Sequence, residues 1–270
     1  MDKHFQPGRT TRVMGIVNVT PDSFSDGGLA YQVSDAVARA VQLMEDGADI
    51  IDVGGESTRP GATEVTAEEE WARLRPVLHE LCQVLHFPVS VDTYRAQTAA
   101  RALELGAIVI NDVWGGLADP DMFRVVAEAG CTYVWMHNRN EPAADAFAAL
   151  IEETHRGVEL ALAAGVRADR LWIDPGIGFG KTLQDNLLVL HKMSEYCALP
   201  YPVLLGTSRK RVIGETLGVD VGERLEGSLT TVALGVWAGV QAVRVHDVKQ
   251  SLRTCRMAEA IRDAKGGSSS

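Results

Sequence analysis

Val13-Met14-Gly15-Ile16-Val17-Asn18-Val19 is followed by Val33, Val37, Ala40, Val41 and Met44, and then by Ile50-Ile51-Asp52-Val53. The first and last runs are short, β-branched and almost continuously apolar, the composition of a strand covered on both faces. The middle residues recur at helical spacing and give one apolar stripe. Strand, helix and buried strand together make a βαβ unit, whose crossover sets the two strands parallel.

The alternation continues to the end of the chain. Further strand candidates are Val89–Val91, Ile108–Ile110, Thr132–Met136, Leu171–Ile173, Val203–Leu205 and Ala242–Val245, with Leu183, Leu187, Leu190 and Met193 marking another helix. Eight strands in 270 residues suit a closed barrel, which typically takes about 250 residues. The expected fold is α/β, a single-domain (βα)8 TIM barrel over residues 1–265. Residues 266–270 form a flexible Gly/Ser tail with nothing to bury. Leu225, Leu229, Val232, Val236 and Trp237 give one broad apolar helical face, for packing on the barrel or on a second subunit.

Composition narrows the function classes. Hydrophobic residues make up 46% of the chain, enough for a large core, and the formal charge of −10 opposes any general affinity for nucleic-acid phosphate or an anionic membrane. Any anion must be captured locally. Cys82, Cys131, Cys197 and Cys255 lie far apart without CxxC spacing, as reduced and mostly buried thiols do. No run reaches about 18 apolar residues, and the polar start lacks a signal-peptide core, so the expected location is cytoplasmic.

In such a barrel the site forms at the C-terminal ends of the strands. Those ends carry Asn18, the Gly54–Gly61 loop, Asp92, Asn111, His137, Asp174, Ser208-Arg209-Lys210-Arg211, and Arg244 with His246. Singly, Asp92 or Asn18 suits a helix cap, and Asp174 before Pro175 suits a turn. Polar groups at all eight ends point instead to a small polar ligand. Asp92, Asn111 and Asp174 suit a planar heterocycle with several N–H donors and a carbonyl, such as a pterin. Lys210 can donate to a ring carbonyl or nitrogen, while Arg59, Arg244 and His246 suit a diphosphate or carboxylate.

Two motifs mislead. Gly176-Ile177-Gly178-Phe179-Gly180-Lys181-Thr182 ends like a phosphate loop, but the first glycine of that motif falls on Pro175. These glycines fit a sharp turn that brings Phe179 over a bound ring. His79 and His86 belong to a helical stretch and read as structural or surface residues, and no zinc site is expected. Mg2+ needs few protein oxygens when phosphates are present, and Asn18 can supply one.

At these residues the chain resembles the dihydropteroate synthase family. Gly15-Ile16-Val17-Asn18-Val19-Thr20-Pro21-Asp22-Ser23-Phe24-Ser25-Asp26-Gly27-Gly28 looks like its first signature, and Asp52-Val53-Gly54-Gly55-Glu56-Ser57-Thr58-Arg59-Pro60-Gly61 like its second. Val91-Asp92-Thr93, Asn111-Asp112, Met136-His137, Asp174-Pro175-Gly176-Ile177-Gly178-Phe179, Gly206-Thr207-Ser208-Arg209-Lys210 and Arg244-Val245-His246-Asp247 extend the likeness over about residues 12–262.

The resemblance implies condensation of hydroxymethyl dihydropterin pyrophosphate with para-aminobenzoate, giving dihydropteroate and pyrophosphate in folate biosynthesis. It implies a pterin site of Asp92, Asn111, Met136, Asp174, Phe179, Gly206 and Lys210. The diphosphate would meet Mg2+ on Asn18, together with Thr58, Arg59, Arg244 and His246. Para-aminobenzoate, with sulfonamides as competitors, would lie near Phe24, Thr58, Arg59, Pro60, Phe179, Lys210 and Arg211, the last through its backbone N–H. Asp92, Asp174, Lys210, Arg244 and His246 are the expected catalytic residues, and a homodimer through the face near Trp237 is the expected assembly.

Two rival readings share the barrel. A methyltransferase moving a methyl group from methyltetrahydrofolate to a corrinoid protein needs no diphosphate ligands, whereas Ser57-Thr58-Arg59-Pro60 and Arg244-Val245-His246 favour the synthase. A non-catalytic pterin-binding protein is opposed by the intact pattern at every strand end.

Overall fold

The computed structural model describes residues 5–19, 28–56 and 65–264. Phe24, Thr58, Arg59, Pro60 and the tail at 266–270 lie outside the described residues.

Eight strands form one parallel sheet: β1 (Arg12–Asn18), β2 (Ile50–Gly54), β3 (Val89–Asp92), β4 (Val109–Asp112), β5 (Thr132–Met136), β6 (Leu171–Asp174), β7 (Leu204–Leu205) and β8 (Ala242–Val245). Each pairs with its sequence neighbour, and β1 also pairs with β8. A parallel bridge between Ile173 and Val203 joins β6 to β7, where the Ile173 N–H also donates to Pro202 O at 2.9 Å. That contact closes the expected TIM barrel.

Helices follow the strands: α1 (Gly28–Glu45), α2 (Ala67–Leu78), α3 (Ala96–Glu104), α4 (Met122–Ala129), α5 (Ala146–Ala163), α6 (Leu183–His191), α7 (Met193–Tyr196), α8 (Arg211–Leu217), α9 (Leu225–Ala238) and α10 (Val248–Arg262). The stripe from Leu183 to Met193 is broken, because Lys192 leaves helical geometry at φ −94° and ψ 18° and starts a separate turn. His86 lies past the helical stretch at φ 55°, with Nδ1 3.2 Å from Cys82 O. All four cysteines are free thiols, three of them buried. Among the described residues no helix is long and apolar enough to cross a membrane.

The pleat explains where the site lies. Alternate residues of a strand face opposite sides of the sheet. Val13, Val17, Ile51, Val53, Val89, Val91, Ile110, Ile173 and Val243 face outward and pack under the helices. Met14, Ile50, Val109, Val134, Trp172, Leu204 and Ala242 face inward and fill the barrel, closed at the N-terminal end by Phe5 against Trp172 at 4.9 Å between ring centroids. Two residues further along the same strands stand Ile16, Asp52, Asn111, Met136, Asp174, Gly206 and Arg244. On β3 the inward pair is Ser90 and Asp92. An apolar plug therefore underlies a polar layer one pleat nearer the mouth.

Candidate active site

The polar layer is centred on Arg244. Its Nε lies 2.6 Å from Asp52 Oδ2 and its Nη2 lies 2.6 Å from Asp92 Oδ2. Asn111 Nδ2 donates to the same Asp52 oxygen at 3.3 Å, and Asn111 stands beside Asp92 in the strand register. Nη1 of Arg244 has no partner among the described residues. Burial alone would weaken the Arg244 charge, but Asp52 and Asp92 outweigh it and hold the guanidinium protonated. Burial raises Asp92 to about 7; Arg244 opposes the rise, and Asp52, Glu70 and Asp112 add to it.

Asp174 and Lys210 form the other wall. Asp174 Oδ1 accepts the Gly176 N–H at 2.7 Å, and burial raises its carboxyl against the pull of Lys210. Lys210 Nζ donates to Ile177 O at 2.6 Å and stands 4.7 Å from the centre of the Phe179 ring. Burial lowers Lys210 to about 8, with Asp174 resisting. Met136 pairs in register with Asp174.

Two glycines keep the space between these groups open. A Cβ at Gly206 would lie 3.7 Å from Asp174 Oδ2 and 3.9 Å from both Lys210 Nζ and Arg244 Cβ. A Cβ at Gly54 would lie 3.6 Å from both Asn18 Oδ1 and Asp92 Cβ. Asp92, Asn111, Asp174, Lys210, Arg244, Gly206 and Met136 thus converge at the barrel mouth, with Phe179 beside Lys210 and Asn18 near Gly54.

The last strands' loops are tied together. Ser208 Oγ accepts the His246 N–H at 3.1 Å and lies 3.1 Å from its Nδ1. Arg209 Nε donates to Asp247 at 2.9 Å, so this arginine of the Ser208–Arg211 run braces a loop. The Arg211 side chain is exposed and pairs with Glu215 at 2.8 Å. His137 is buried away from this pocket, between Glu153 and Lys181, and burial drives it down to about 3. Arg95 pairs with Glu56 and donates to Val65 O.

Sequence reasoning missed Asp52 as a site member. Its signal was a single carboxylate between Ile51 and Val53, on the inward side of a strand. Lys181 was also passed over, and it lies against the pocket's Gly176–Phe179 turn.

Asn18 is the residue that could offer an oxygen to Mg2+. Among the described residues no group of three or more His, Cys, Asp or Glu side chains could hold an ion. Asn18 Oδ1 beside Asp92 offers hard oxygen, and Mg2+ commonly needs one or two such ligands beside substrate phosphates.

Fold and pocket together define an α/β-barrel protein with a buried, mixed-charge site at the C-terminal ends of its strands. A family model described as "Pterin binding enzyme" matches residues 14–246. The chain is 48% identical to the dihydropteroate synthase of Bacillus subtilis, covering 95% of this chain and 90% of that protein. It is similar to a dihydropteroate synthase structure from Clostridium difficile determined with pteroic acid, with TM-score 0.93 and 44% identity over 96% of this chain and all of that one. It also matches the Xanthomonas albilineans enzyme with 4-aminobenzoic acid, with TM-score 0.91 and 41% identity over 95% of each chain. The chain belongs to the dihydropteroate synthases, transferases of the pterin-binding enzyme family.

Proposed function

We propose that this chain condenses hydroxymethyl dihydropterin pyrophosphate with para-aminobenzoate, releasing pyrophosphate and forming dihydropteroate. The convergence of Asp92, Asn111, Asp174 and Lys210 beside Arg244 carries this reading. Acids and an amide meet the N–H edge of a pterin, and Lys210 donates to its carbonyl or ring nitrogen. Phe179 and Met136 give the ring apolar faces. The pteroic acid and 4-aminobenzoic acid in the two solved relatives support these substrates. Sulfonamides, which carry an aniline of the same shape, compete for the aminobenzoate position.

The bond between the pterin methylene and the diphosphate oxygen breaks, and the positive charge spreads into the electron-rich ring. Asp92 and Asp174 stabilise that cation. Arg244 Nη1 and His246, with Thr58 and Arg59, receive the departing oxygens. The aniline nitrogen then bonds to the methylene and loses a proton, so no side-chain nucleophile is needed. Asn18 would hold Mg2+, which would supply charge neutralisation at the leaving group. Aminobenzoate lies on the outer side of the pterin, near Phe24, Thr58, Arg59, Pro60 and Phe179, with the Arg211 N–H towards its carboxylate.

The working form is a cytoplasmic homodimer. Four free thiols suit a reducing compartment. Leu234 and Trp237 of α9, with Met257 and Ile261 of α10, are all more than half exposed and give an apolar surface for a second copy.

Pyrophosphate release is the test. It is expected only with both substrates and Mg2+, and it should fall steeply in Asp174→Asn. Release with either substrate alone, or an unchanged rate in that variant, refutes the reading.

A further inference from the structure

We infer that Lys181 is a positioning residue for the pterin side of this pocket, acting through the Gly176–Phe179 turn. The inference rests on the synthase reading. Lys181 belongs to the segment that imitates a phosphate loop in sequence, yet its ammonium serves the protein's own backbone. Nζ donates to Gly176 O at 3.0 Å and to Phe179 O at 3.1 Å, and it lies 2.8 Å from His137 Nδ1.

The third contact fixes the chemistry of the group. His137 Nε2 lies 2.8 Å from Glu153 Oε2. A carboxylate only accepts, so Nε2 carries the ring proton and Nδ1 presents a lone pair. Burial lowers the Lys181 ammonium to about 7, with Asp174 opposing; while protonated it donates three times, to one nitrogen and two carbonyls, which is the full capacity of an ammonium. The ammonium therefore joins two carbonyls of the turn to the His137 side chain, just past the end of β5.

The turn that it fixes touches both walls of the pocket. Gly176 N–H reaches Asp174 Oδ1 at 2.7 Å, Ile177 O receives Lys210 Nζ at 2.6 Å, and the Phe179 ring stands 4.7 Å from that Nζ. The turn is also held by the Phe179 N–H donating to Gly176 O at 3.1 Å and the Gly178 N–H donating to Asn186 Oδ1 at 2.6 Å. Gly176 sits at φ 63°, with its Cβ position 1.8 Å from His137 O, and Gly180 sits at φ 55°, 2.1 Å from Arg139 O. Only glycine allows both the left-handed backbone and the close approach. Without the Lys181 ammonium the turn keeps its bonds to Gly176 O and Asn186 but loses its tie to His137, which loosens the placement of Ile177 O and Phe179 against Lys210.

The test compares the wild-type protein with Lys181→Met, which keeps the stem without donors, and Lys181→Arg, which keeps the charge. A planar guanidinium cannot reach these three acceptors from one nitrogen. Melting temperature, calorimetric Kd for the pterin pyrophosphate, kcat and the KM of each substrate are measured. Both variants should fold and lose at least about tenfold in pterin Kd and KM, while the aminobenzoate KM changes by less than about threefold. Wild-type pterin affinity in Lys181→Met overturns the inference. Full rescue by Lys181→Arg overturns it by reducing the role to charge, and failure of both variants to fold overturns it by making Lys181 a stability residue. A wild-type protein that binds the pterin but releases no pyrophosphate refutes the synthase reading instead, and the three Kd values still decide the role of Lys181.

Discussion

Arg244 Nε lies 2.6 Å from Asp52 Oδ2, joining residues 192 positions apart at the centre of the barrel mouth. Asp52 is fully buried, and its other oxygen has no hydrogen-bond partner among the described residues. Its one strong counter-charge is thus the guanidinium, which it holds in place beside Asp92. Asp52→Asn leaves Arg244 with Asp92 as its remaining carboxylate. Removing one partner of a buried pair costs about 3 kcal/mol of stability. Loss of orientation should lower kcat/KM for the pterin substrate by at least about tenfold. Urea unfolding and steady-state kinetics check both, and a stable variant with unchanged kcat/KM removes Asp52 from the machinery.

The period-two pleat made much of this site legible in the sequence. All eight strands were visible as short apolar runs, and the polar residue ending most of them lies one pleat beyond an inward apolar residue. Asp52 was hidden because its meaning comes from Arg244, far away in the chain, and no local pattern announces a partner on β8. Lys181 was obscured differently. The glycines around it imitate a phosphate loop, whereas their actual cause is close contact with the carbonyls of His137 and Arg139. The break at Lys192 carries no Pro or Gly, so the apolar stripe reads as one helix.

Gly206→Ala tests where the ligand lies without disturbing the fold. The added methyl would make ordinary contacts at 3.7–3.9 Å with Asp174, Lys210 and Arg244. Replacing glycine where the backbone permits it stabilises by about 0.4–1 kcal/mol through the unfolded chain. Melting temperature should hold or rise, while the Kd for the pterin substrate weakens by at least about tenfold. Unaltered affinity would move the pterin out of the space between those three residues.

The opposite end of the barrel should separate stability from activity. Phe5 packs on Trp172 beneath the inward apolar layer, and its carbonyl accepts from Thr132 Oγ1 at 3.3 Å. Phe5→Ala opens a cavity there, with an expected loss of about 3–4 kcal/mol. The KM for either substrate should not change, because the N-terminal face of such barrels serves stability. Denaturant midpoints alongside kinetics decide the point, and a large KM change at retained stability would contradict the division.

Lys210 should set an alkaline limit on the reaction. Burial lowers it to about 8, with Asp174 pulling the other way, so its ammonium is lost near that pH in the folded protein. If that ammonium donates to the pterin, its loss makes kcat/KM fall by about tenfold per pH unit above about pH 8. Asp174→Asn removes the charge that supports the ammonium, so in the residual activity this limb should move to lower pH. Stability carries the opposite sign. The unfolded lysine keeps its proton up to its ordinary value of 10.5, so between about 8 and 10.5 the unfolded chain binds more protons and stability rises with pH. Lys210→Met should abolish both the kinetic limb and that contribution to the rise. An alkaline limb that persists unshifted in Lys210→Met would assign the limit to another group and leave the lysine without the proposed proton-dependent role.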